Sequence, residues 1–146
     1  MSQTKISNLT NILVIILTQV CFAIKIVYGG SYNQDLYPYI EGGWLITKGF
    51  LPYIDFYIPT GPIVYLIQGF FTAFTGANIH AVFIHLLFYA LTLSLFSFYV
   101  FKKVASNLSS IILSITLPIS TNLLTGIPLY TSTAIFFCFY KYLNSN

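Results

Sequence analysis

Between Ile79 and Phe101 the chain carries no Lys, Arg, Asp or Glu, and the run from Leu9 to Tyr28 is broken only by Lys25 near its end. About 20 apolar residues in helical form cross the hydrocarbon of a bilayer. Two such runs commit a chain of this size to a membrane. Charged residues make up only 6% of the sequence, where soluble domains carry roughly 25%. The expectation is an all-α, polytopic transmembrane protein: one membrane domain over 1–146, with four or five spans, in the cell (inner) membrane.

The spans are expected at 9–28, 62–75, 79–101 and 108–124, with a further short one at 127–143. Lys5 ahead of the first run resembles a signal sequence, but no small-x-small cleavage pattern follows, so the run is read as retained. Pro118 interrupts the fourth run, whose Ser and Thr residues can take up the carbonyl that proline frees. Asn11 and Gln19 inside the first run are read as polar contacts between helices. Cys21 and Cys138 lack metal-ligand or disulfide spacing and are read as small core residues. His80 and His85 are read as packed or interfacial. The asparagines Asn8 and Asn107 match the glycosylation acceptor pattern only weakly.

One stretch stands apart. Gly29 to Tyr65 contains every acidic residue, Asp35, Glu41 and Asp55, and the single Trp, Trp44. Carboxylates are costly in hydrocarbon and cheap at the water boundary, so residues 29–61 read as an external loop. Within it, Asp35 to Lys48 reads as a short amphipathic helix lying along the interface. Leu36, Ile40 and Trp44 form its apolar side, with Gln34, Glu41 and Lys48 opposite. Asp35 suits the N-cap and Gly49 the C-terminal cap. Phe50 to Pro59 reads as an extended aromatic segment, and Pro62 as the first residue of the next helix.

Orientation follows from charge and span count. An amino terminus with Lys5 on the cytoplasmic side makes 29–61 external. Counting Pro62 to Phe74 as a full crossing then leaves Lys102 and Lys103 outside, against the bias of positive charge toward the cytoplasm. Treating that stretch as re-entrant restores the bias.

No Ser-His-Asp pattern, phosphate-cradling glycine loop or zinc motif is present, and all six basic residues are scattered lysines, which excludes a nucleic-acid-binding face. The carboxylates remain. By themselves, Asp35 is equally a helix cap or a base, Glu41 a solvated residue near Lys48, and Asp55 a brace for its turn.

The order Asp35, Tyr39, then Gly49-Phe50-Leu51-Pro52-Tyr53-Ile54-Asp55 and Pro59-Thr60-Gly61-Pro62 resembles the first external loop of the GT-C glycosyltransferases. Within them it is similar to the dolichyl-phosphate-mannose protein mannosyltransferase-like group (family 39-like), over roughly residues 8 to 103. The resemblance implies inverting transfer of a sugar from a polyprenyl-phosphate donor to an envelope acceptor, and favours the full crossing at 62–75. It makes Asp35 the catalytic base and Asp55 a supporting catalytic-site residue. Tyr39, Glu41, Trp44, Lys48 and Tyr53 become the substrate-binding set, in which aromatic rings stack on sugars. Where many relatives carry a second acid directly after the first, this chain has Leu36.

Those enzymes are far longer, so the resemblance also implies an N-terminal segment, completed by further C-terminal spans or by a membrane partner protein. Some relatives use a divalent metal, but three separated carboxylates do not make a metal site, and the cofactor stays open. The expected partners are the lipid bilayer and a lipid-linked sugar donor, with no nucleic acid. The alternatives are a non-catalytic small membrane subunit in envelope polysaccharide assembly or export, and an inactive remnant.

Overall fold

A computed structural model describes residues 3–29, 36–58 and 61–125; Asp35 and the expected span at 127–143 lie outside them. The described residues form five helices and no strand: α1 (Gln3–Tyr28), α2 (Leu36–Thr47), α3 (Pro62–Thr75), α4 (Ile79–Phe101) and α5 (Asn107–Thr125). Helix α4 is central and touches the other four. The segments Asn8–Tyr28 and Ile79–Phe101 are long and apolar enough to cross a membrane.

The helices bury polar side chains among the apolar ones and turn many large apolar side chains outward. Helix α1 exposes Leu9, Leu13, Leu17 and Ile24 and buries Asn11 and Gln19. Helix α4 exposes Phe88 and Tyr99 and buries His85, Ser94 and Ser97, while α5 exposes Leu108 and Ile112 and buries Ser110 and Ser114. In water, large apolar side chains turn inward; in hydrocarbon the polar ones must, because only other helices can satisfy them. Cys21 follows the outward pattern: it is exposed, not a core residue as its apolar surroundings suggested.

The buried polar groups set the register. Asn11 donates to Asn107 Oδ1 at 2.9 Å, and Gln19 donates to the Ile115 carbonyl at 3.3 Å, so α1 and α5 run parallel in step. Pro118 removes the N–H that would bond the carbonyl four residues back. The α5 hydroxyls bond within their own preceding turns, as Ser114 does to Ile111. Gln19 reaches this region from α1.

Helices α1 and α4 are antiparallel with matched ends. Tyr28 and His80 share a 2.7 Å hydrogen bond at one end, and Lys102 donates to Asn8 at the other. The chain therefore leaves α1 and enters α4 at the same end. The expected full crossing at 62–75 goes with a different arrangement, in which Tyr28 and His80 stand at opposite ends. At 14 residues, α3 is about 21 Å long, too short for a hydrocarbon layer of ~30 Å.

Local chemistry accounts for the turns. Gly49, in the left-handed region at φ 87°, ends α2 with paired bonds from Phe50 N–H to Leu45 O and Gly49 N–H to Ile46 O, which satisfy carbonyls left open at a helix end. Asn78 links α3 to α4: its Oδ1 accepts from the His80 and Ala81 amides, and its Nδ2 donates to the Thr75 carbonyl.

Helix α2 packs on α3 through glycines. A Cβ at Gly42 would stand 2.3 Å from the Tyr65 ring, and one at Gly43 would stand 2.8 Å from Gln68 and Thr72. The buried face of α2 is Tyr39, Gly42 and Gly43, while Trp44, on the apolar side expected from periodicity, is exposed. The two-helix unit sits on the first turns of α4, where Tyr39, Ile58, Val64 and Tyr65 cluster with Val82.

Candidate functional site

The unit built from α2, α3 and the loop between them carries Glu41 and Asp55, at the end of the molecule marked by the Tyr28–His80 bond. Its anchor is a buried polar chain. His85 and Gln68, both fully buried, approach within 2.7 Å through Nδ1 and Oε1. An amide oxygen only accepts, so His85 carries its proton on Nδ1 and donates. Gln68 in turn donates to Thr72 Oγ1, and the His85 ring stacks on Phe71 at 5.2 Å. Neither the pairing of Gln68 with His85 nor its direction is readable from spacing, since the two residues belong to different helices.

The loop holds its shape through Asp55. The carboxylate accepts the Leu51 N–H at 2.7 Å, while the Asp55 amide returns to the Leu51 carbonyl and the Tyr53 amide bonds to Phe56 O. Tyr53 is thereby held at φ 66°, a left-handed conformation that costs a non-glycine residue roughly 1–2 kcal/mol. Asp55 is exposed, yet its carboxylate is turned onto its own backbone. Tyr53 is exposed on the same turn, one residue past the Pro52–Phe56 bridge.

The outer face of α2 gathers a different set. Tyr37, Glu41 and Trp44, at successive turns, line an open pocket of about 290 Å³ floored by Ala77 of the α3–α4 turn. Glu41 also borders a second pocket of about 140 Å³, walled by Phe56, Tyr57 and Tyr65. Lys48 stands with Nζ 5.9 Å from the Trp44 ring centroid and makes no ion pair with Glu41.

Of the residues expected to form the site, Glu41, Trp44 and Lys48 come together on this face. Asp55 and Tyr53 form the neighbouring turn. Tyr39 does not join them: it is only 1% exposed and stacks on Tyr65 with centroids 5.5 Å apart, so its ring packs the core and offers a ligand no surface. Tyr37 and Tyr57 line the pockets without having been expected; the helical spacing of Tyr37, Glu41 and Trp44 is the signal that points to the first, and nothing in the sequence points to the second. Among the described residues no group of three or more His, Cys, Asp or Glu could hold a metal ion.

Comparison with known protein families, with characterised proteins and with solved structures finds no match.

Proposed function

We propose that this chain is the acid-bearing membrane segment of a glycosyltransferase that uses a polyprenyl-phosphate sugar. In this reading α1, α4 and α5 cross the membrane, and α2, α3 and their loop lie at its outer surface. The observation that carries it is the matched pairing of α1 and α4. With Tyr28 beside His80 and Asn8 beside Lys102, α2, α3 and the turn that carries Asp55 belong to one end, with Glu41. Lys102 and Lys103 belong to the other, with the amino-terminal turn that contains Lys5. The cationic end is the cytoplasmic one, so the charge bias is met without a crossing by α3. The exposed apolar faces of α1, α4 and α5 support a hydrocarbon surround.

The chemistry is that of the resemblance carried by the pattern from Asp35 to Pro62. A lipid tail fixes the donor's anomeric carbon at the membrane surface, and a base must reach the acceptor hydroxyl there. Asp35, one residue before α2, takes the acceptor proton as the oxygen bonds the anomeric carbon. The bond to the phosphate oxygen breaks, and the electron pair leaves with the polyprenyl phosphate. Glu41 and Trp44 hold the transferred group, and Asp55 holds the loop as a positioning residue.

The test is transfer of labelled sugar from a polyprenyl-phosphate donor by membranes carrying the wild-type chain or Asp35→Asn. Loss of a general base predicts a rate at least about 100-fold lower, with equal amounts of protein in the membrane. Undiminished transfer by Asp35→Asn, or no transfer dependent on the wild-type chain, overturns the assignment.

A further inference from the structure

Of the two acidic side chains among the described residues, Asp55 is hydrogen-bonded and Glu41 makes no hydrogen bond or ion pair with them. It stands between two pockets whose other walls are aromatic or aliphatic: Tyr37, Trp44 and Ile40 on one side, Phe56, Tyr57 and Tyr65 on the other. Among the described residues, no Lys, Arg, His, Asn or Gln lines either pocket.

We propose that this acid-and-aromatic face takes an organic ammonium group, which sits against the Glu41 carboxylate and the Trp44 and Tyr37 rings. A neutral polyhydroxyl ring needs donors and acceptors converging on its hydroxyls, and the described side chains here offer one carboxylate, the Trp44 indole N–H and tyrosine hydroxyls. A cation needs a negative charge and ring faces, because the ring quadrupole attracts positive charge and attracts it most for Trp. The chain already shows the preference: the Lys48 ammonium stands 5.9 Å from the centroid of Trp44. Two sources present this chemistry at a membrane surface, an amino sugar and the ethanolamine or choline head of a phospholipid.

The inference deepens the transferase reading by naming the group that the α2 face selects, but its test reads binding alone. A failed transfer assay leaves it standing, and its own failure leaves Asp35 as base untouched.

Trp44 is the single Trp of the chain, so its emission reports the site directly. The full chain in a neutral polyoxyethylene detergent is titrated with glucosamine, N-acetylglucosamine and choline at constant ionic strength, with calorimetry as a second readout. Glucosamine or choline should bind at least about tenfold more tightly than N-acetylglucosamine, in which the ammonium is an amide. Glu41→Gln, a change at an exposed position, should erase the preference without moving the melting temperature. A choline-only response assigns the site to a lipid head, and a glucosamine-only response assigns it to an amino sugar. Equal binding of glucosamine and N-acetylglucosamine, unchanged amine binding by Glu41→Gln, or no amine binding by either readout overturns the proposal.

Discussion

Replacing Gly42 with alanine probes the seam between α2 and α3 through the sign of the effect. In an open helix interior the change should stabilise, since alanine is better than glycine there by about 0.8–1 kcal/mol. Here the added Cβ would stand 2.3 Å from Tyr65 Cδ1 and 2.7 Å from Cε1. Tyr65 is 1% exposed and stacked on Tyr39, so it has nowhere to move. Overpacking costs roughly 1–3 kcal/mol, and an immobile ring puts this site near the upper limit. The net loss is about 2 kcal/mol, or a fall of roughly 4–8 °C in Tm for a chain of this size. Circular dichroism melting in detergent micelles measures it. Gly61→Ala is the control, because its Cβ meets nothing within 4 Å, and it should leave Tm unchanged. A Gly42→Ala protein that melts at or above the wild-type temperature refutes the close approach of α2 to α3.

The polar anchor under the site behaves as a pair. Gln68→Leu leaves the buried His85 N–H without its acceptor and should cost about 1–3 kcal/mol, while adding His85→Phe should recover most of that loss; a double variant no more stable than the single one contradicts the pairing. Asp55→Ala removes the acceptor of the Leu51 amide and should make the bonds after Tyr53 and Tyr57 cleave faster with chymotrypsin, whereas Asp55→Asn keeps an acceptor and stays close to wild type. Equal cleavage of the wild-type and Ala proteins would show that the carboxylate does not hold the turn.

Some of this architecture is legible in the residues. Helix α4 announces itself through an uncharged run bounded by Asn78 and Lys102, and Gly49 and Pro62 mark a helix end and a helix start by backbone chemistry alone. The expected roles of Asn11 and Gln19 as contacts between helices also match the observed bonds. The face of α2 was not legible, because hydrophobic periodicity weighs Leu36, Ile40 and Trp44 and gives Gly42 and Gly43 no weight, although the glycines make the seam. The placement of α3 was hidden for a related reason: an apolar stretch of 14 residues reads alike as a short span and as a surface helix. Partners distant in the chain, Tyr28 with His80 and Asn8 with Lys102, carry the proposed reading of a surface helix. At the site, spacing alone puts Glu41 and Lys48 seven residues apart on one face. Whether Tyr39 faces a ligand or the core depends on Tyr65, in another helix.

Sidedness is the claim on which the account depends, and single-cysteine labelling in intact cells tests it directly. In a background with Cys21 and Cys138 replaced, cysteine is introduced at Tyr57 in the loop, at Ala77 in the α3–α4 turn and at Ser106 before α5, all exposed positions. A membrane-impermeant maleimide should label Tyr57→Cys and Ala77→Cys from outside, and Ser106→Cys only after the cells are opened. Protection of Ala77→Cys with labelling of Ser106→Cys from outside would mean that α3 crosses the bilayer. Labelling of Ser106→Cys from outside with protection of Tyr57→Cys would put the acids in the cytosol, and either result contradicts the account.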